Sequence, residues 1–105
     1  MSFNDRAQDF ESRYVHDQEL RFRIEARRNK LLGLWVAEKL GFAGEEAERY
    51  AQELVAVAFQ TPGDEGIFQK IRSDFDGAKI EQSDHQIHRH MADLLAEAET
   101  QIRNG

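Results

Sequence analysis

The first forty residues contain no proline and are dominated by strong helix formers, yet their apolar positions fall into two separate stripes. Phe3, Ala7, Phe10 and Tyr14 recur at 4-3-4 spacing, which puts them on one face of an α-helix. Continuing that register reaches Asp17 and Arg21, both charged. A second stripe, Leu20, Ile24, Leu31 and Leu34/Trp35, reads as out of phase with the first, with the slip across Val15, His16, Asp17, Gln18 and Glu19. A straight helix cannot bury two such stripes on one surface. The first seventeen or so residues are therefore expected to face something other than the rest of the chain.

The remainder also reads as helical. The single proline is Pro62, and no stretch alternates apolar and polar residues as a half-buried strand does. Ser2, with Asp5 three residues on, caps the first helix, which is expected to end near Leu40 because Gly41 and Gly44 flank a turn. Glu45 and Glu46 suit the first turn of a second helix, with Ala47, Tyr50, Ala51, Leu54 and Ala58 as its apolar face. Thr61, Pro62 and Asp64 read as N-cap, N1 and N3 of a third helix that buries Ile67, Phe68, Ile71 and Phe75 and ends at Asp76-Gly77. Ser83, paired with Gln86, caps a fourth that carries Ile87, Met91, Leu94, Leu95, Ala98 and Ile102. Gly33 inside the first helix costs about 1 kcal/mol relative to alanine, which implies a close helix contact there, within an apolar run around Trp35 read as the packing centre. The expected fold is all-α: a small four-helix bundle in one domain, with a long first helix whose N-terminal part forms a separable arm. Residues 1–18 are the arm and residues 19–105 the body.

Charge and residue inventory narrow the function. The chain of 105 residues carries a net charge of −6, so it lacks the excess of Lys and Arg that nucleic-acid binding requires. That charge is split, with residues 1–40 at net +1 and residues 41–105 at net −7. The longest apolar runs, Leu31–Ala37 and Leu54–Phe59, are far short of the ~20 residues that span a bilayer. The N-terminus lacks a basic region followed by an apolar stretch, so a cytoplasmic location without membrane insertion is expected. There is no cysteine, hence no thiolate chemistry and no disulfide.

His85 and His88 each have a carboxylate four residues earlier, but no matching set appears elsewhere, so they and His90 read as a solvated polar helix start rather than a metal site. Gly41-Phe42-Ala43-Gly44 lacks the Lys-Ser/Thr of a phosphate-binding loop. No serine sits in a nucleophile elbow. The expectation is no catalytic residue, no metal and no cofactor. Arg27, Arg28 and Lys30 form a small basic cluster, a candidate site for a nucleotide or other anion bound weakly. His16, at the slip, is a candidate for tuning arm release.

The segment Glu19–Gly41, ELRFRIEARRNKLLGLWVAEKLG, preceded by Phe10-Glu11 and His16-Asp17, resembles the ζ subunit of alphaproteobacterial F-type ATP synthases. The likeness is strongest over residues 3–41, and Ala26–Trp35 is its most specific part. The resemblance implies an inhibitor of ATP hydrolysis. Its N-terminal segment would be a helix wedged between catalytic α and β subunits and reaching towards γ, with the other helices as a body. Carried onto this chain, the arm is Ser2–Gln18, with Phe3, Asp5, Arg6, Phe10, Arg13 and Tyr14 as candidate contacts. The competing expectation is a helical adaptor that binds its partner through the body, around Arg27, Arg28 and Lys30.

Overall fold

The computed structural model describes residues 3–61 and 63–104, with side chains from His16 onward. Four helices follow one another: α1 (Phe3–Lys39), α2 (Glu45–Gln60), α3 (Glu65–Gly77) and α4 (Asp84–Asn104). Among the described residues there is no strand. The all-α, four-helix expectation holds. No described helix is long and apolar enough to cross a membrane.

α1 is the spine, packing most extensively against α2 and α4. Both lie antiparallel to it, since Phe22 pairs with Phe59 and Gly33 meets Ala51, whereas Trp35 meets His90 and Leu20 shares a groove with Arg103. The core is built from Leu32 and Val36 of α1, Leu54 of α2, Ile67, Ile71 and Phe75 of α3, and Ile87 of α4, all essentially without solvent exposure. Each such side chain contributes roughly 1.5–3 kcal/mol by leaving water. The three apolar faces expected on α2, α3 and α4 all supply core residues.

Gly33 has the role its position implied. A Cβ built there would lie 2.6 Å from the Ala51 Cα, so the α1 and α2 backbones approach closely only because the side chain is absent. α1 ends one residue before the expected position, and Gly41 turns the chain with φ 87°. The Gly41 N–H donates to the Glu38 carbonyl and the Phe42 N–H to the Ala37 carbonyl, the paired bonds of a Schellman cap. α4 opens on the capping box read from sequence: the Gln86 N–H donates to Ser83 Oγ at 3.1 Å, and the Ser83 N–H donates to Gln86 Oε1 at 2.9 Å.

Several expectations are corrected. Thr61 caps the C-terminus of α2, and α3 starts only at Glu65 with Asp64 as its N-cap. Asp64 makes no capping hydrogen bond because its carboxylate is taken by Arg28. Pro62 and Ser2 lie outside the described residues. α3 ends at Gly77 as expected, and the left-handed residue after it is Lys79 (φ 59°). The run Leu31–Ala37 is the packing centre as expected, through Leu32, Val36 and Ala37, while Trp35 within it is half-buried.

The slip between the two stripes of α1 also changes character. The buried positions are Ile24, Arg28, Leu32 and Val36, flanked by Asn29 and Ala37, while Leu20, Leu31, Leu34 and Trp35 lie on half-buried margins. Eighteen residues make five turns of an ideal helix, so position 10 shares its azimuth with 28, and 14 with 32. The aromatic stripe is therefore in phase with the true core face. What separates them is the polar interval at Asp17 and Arg21, and the fact that the other helices stop there.

Candidate functional site

The mismatch in helix length defines the site. α1 has 37 residues, about 55 Å of helix at 1.5 Å per residue, while α4, the longest of its neighbours, has 21 residues and about 31 Å. The C-terminal part of α4 (Leu95, Glu99, Arg103) faces Asp17, Leu20, Arg21 and Ile24 across a groove of about 490 Å³. α2 ends level with Phe22. α1 thus continues for some fourteen residues, about 20 Å, beyond the level at which its neighbours end. The backbone is helical across residue 18, without a break between the expected arm and body. The candidate arm contacts Phe3, Asp5, Arg6, Phe10, Arg13 and Tyr14 belong to this stretch, and their side chains lie outside the described residues. His16, at its base, is exposed.

The basic cluster is split by the fold. Arg27 and Lys30 are exposed, whereas Arg28 is 4% exposed and points into the bundle. Its Nη2 donates to Asp64 Oδ1 at 2.6 Å, its Nη1 to Asp64 Oδ2 at 3.4 Å, and its Nε to Asn29 Oδ1 at 2.8 Å. A buried guanidinium requires such partners, and this one ties the α2–α3 turn to the spine. Arg28 is thereby committed within the body, and the three cations do not converge on one surface point.

A second polar cluster, not read from the sequence, occupies an open groove of about 500 Å³ between α2 and α3. Buried Tyr50 donates its phenol proton to Asp74 Oδ2 at 2.6 Å. Lys70 lies 3.1 Å from Asp74, 3.6 Å from Glu53 and 4.9 Å from the centre of the Tyr50 ring. Burial and the neighbouring carboxylates push the Tyr50 phenol far above the ordinary tyrosine range. Both cations of the groove face carboxylates, Lys70 as above and Arg49 at 4.0 Å from Glu45, which suits a structural tie between helices better than anion capture. Tyr50 and Asp74 are 24 residues apart, so local pattern gave no signal for their pairing.

The histidines of α4 are not simply solvated. His90 stacks on Trp35 with ring centres 4.0 Å apart, and His88 on Phe68 at 4.3 Å. Among the described residues, no group of three or more His, Cys, Asp or Glu is placed to hold a metal ion.

A helix extended past its own bundle is suited to enter another protein. The family model of the ATPase inhibitor subunit zeta matches residues 1–101. The chain belongs to that family. The zeta family thus gives the protein an inhibitory role towards an ATPase and accounts for the resemblance carried by residues 19–41. One solved chain, a solution NMR structure, is 40% identical, with a TM-score of 0.72 over 81% of this chain and 96% of that chain. No curated protein matches.

Proposed function

We propose that this chain blocks ATP hydrolysis by an F-type ATP synthase by inserting its N-terminal helix, residues 2–18, between catalytic α and β subunits near γ. The observation that carries the reading is the length of α1, which is 16 residues longer than α4 and continues some fourteen residues beyond it at the end bearing the Phe3/Phe10/Tyr14 stripe. An aromatic stripe at helical spacing is the pattern of an anchor set for a hydrophobic groove. Asp5, Arg6 and Arg13 would orient the helix through charge. A wedge of this kind stalls a rotary enzyme by stabilising one catalytic-site conformation over those that must follow it. In this reading the chain performs no chemistry and needs no cofactor, metal or nucleic acid. It acts in the cytoplasm on the head of a membrane-bound enzyme.

The test is deletion of residues 1–18. Native helicity by circular dichroism together with loss of inhibition of a cognate ATP synthase head is the expected result. Undiminished inhibition by the folded remainder would overturn the reading and turn attention to the body surface around Arg27 and Lys30. In the full-length chain, Phe10→Ala/Tyr14→Ala should raise the half-inhibitory concentration at least tenfold, as removal of paired aromatic anchors does.

A further inference from the structure

Among the described residues, the exposed large hydrophobic side chains are Phe22 (54%), Phe59 (67%) and Leu95 (37%). All three lie towards the end of the bundle from which the N-terminal part of α1 extends. Phe22 and Phe59 pair across α1 and α2 with ring centres 5.5 Å apart, and Leu95 faces Leu20 and Ile24 across the α1–α4 groove. Leu20 to Ile24 spans about 6 Å of helix rise. Leu20 and Phe22 are about 160° apart around α1, so the apolar groups flank the spine on two sides. At the level of Phe22 and Phe59 α2 ends, while α4 continues past Leu95 to Arg103, opposite Asp17 and Leu20, before α1 goes on alone.

We propose that these side chains form an apolar collar that seats on the ATPase surface around the mouth of the cleft receiving the arm. The proposal rests on the arm reading above. Phe22 is eight residues, about 12 Å, from Tyr14 along the same helix, so a protein that encloses the arm through Tyr14 meets the collar next. Asp17, Arg21, Glu25, Glu99 and Arg103 border it with both signs of charge. That rim fits a protein surface of mixed charge and gives no attraction for phosphate-rich partners. Two phenylalanines and a leucine cover far less than the ~800 Å² per partner of a stable interface, so the collar cannot sustain a dimer of this chain alone. It can extend a larger interface, where apolar groups at the edge of an anchor slow dissociation.

The experiment uses the full-length chain and the cognate ATPase. Phe22→Ser/Phe59→Ser/Leu95→Ser replaces only exposed groups, and its fold is checked by circular dichroism. The expected result is a half-inhibitory concentration raised threefold or more and faster recovery of hydrolysis on dilution, with maximal inhibition retained. A change below threefold overturns the collar while leaving the arm reading intact, provided Phe10→Ala/Tyr14→Ala still weakens inhibition. If the arm variant inhibits like the native chain, the arm reading falls and the proposal with it.

Because the sequence has no cysteine, Gln60→Cys beside Phe59 and Ala43→Cys at the other end of the body can each carry one environment-sensitive fluorophore. Adding the ATPase should shift emission at position 60 and leave position 43 unchanged. No shift at 60, or a dimer of the free chain abolished by the collar substitutions, overturns the proposal.

Discussion

Gly33→Ala tests the packing of the bundle, because two opposing effects of known size meet at that position. Alanine in a helix interior is favoured over glycine by about 1 kcal/mol, so propensity alone predicts a more stable protein. The new Cβ, however, would stand 2.6 Å from the Ala51 Cα and 3.0 Å from its Cβ. Ordinary carbon contacts lie at about 3.5–4.0 Å, so α1 and α2 must separate by about 1 Å along their contact. The atom met is backbone and cannot rotate away, which places the cost near the upper end of the ~1–3 kcal/mol for overpacking. The net expectation is destabilisation by about 1–2 kcal/mol. For a domain of this size that lowers the melting temperature by roughly 5–15 °C.

Gly77→Ala supplies the contrast. A Cβ there meets nothing within 4 Å, so the same substitution at the end of α3 should leave stability unchanged or raise it by about 0.5 kcal/mol. Thermal and urea unfolding followed by circular dichroism read both. A Gly33→Ala melting temperature equal to or above that of the native chain would refute the close approach of α1 and α2.

Three further outcomes follow from the side-chain ties. Asp64→Ala strands the buried Arg28 guanidinium, and because Asp64 is 57% exposed the loss should be about 1 kcal/mol, read as a lower urea midpoint with unchanged slope. An unchanged midpoint would mean that solvent replaces the carboxylate at no cost. Tyr50 keeps its proton in the folded state above the pH, about 10, at which an unfolded tyrosine ionises. Its contribution is thus complete below about pH 10 and declines as pH rises beyond it, so native stability should fall more steeply between pH 10 and 11 than that of Tyr50→Phe; parallel pH curves would discount the effect. Lys79→Gly relieves a left-handed conformation costing a β-carbon-bearing residue about 1 kcal/mol and should raise the urea midpoint, whereas a lower midpoint would show that the Lys79 side chain contributes more than the strain costs.

Legibility in the sequence followed the range of the deciding interaction. The Ser83/Gln86 capping box and the Gly41 turn involve groups within a few residues, and both were readable from the chain. So were the buried faces of α2, α3 and, except for exposed Leu95, α4, because amphipathic period needs only neighbours on the same helix. Asp64 reads as N3 from local rules but stands at the N-cap of α3, where Arg28, 36 residues away, takes the carboxylate that those rules allot to the helix start. On α1 the run Leu31–Ala37 is apolar on several sides, so period alone cannot choose among Leu31, Leu32 and Trp35. Contact with α2 and α4 makes that choice, in favour of Leu32 and Val36. His88 and His90 looked like solvated residues until α3 and α1 brought Phe68 and Trp35 against them.

The sequence by itself determined that the chain is helical, that its first helix is long, and that this helix carries an aromatic stripe interrupted by charge before the body begins. Propensity, capping and amphipathic spacing are properties of consecutive residues, so no neighbour was needed to read them. Only the tertiary structure decided where α2 and α4 end against α1, and therefore how much of the long helix outruns the bundle. It also decided that Arg28 turns inward to Asp64, and that Phe22 and Phe59 meet where α2 ends against the long helix. Each of these depends on which distant residues the packed helices bring level with one another, a relation that helix length and crossing geometry set and that no local pattern encodes.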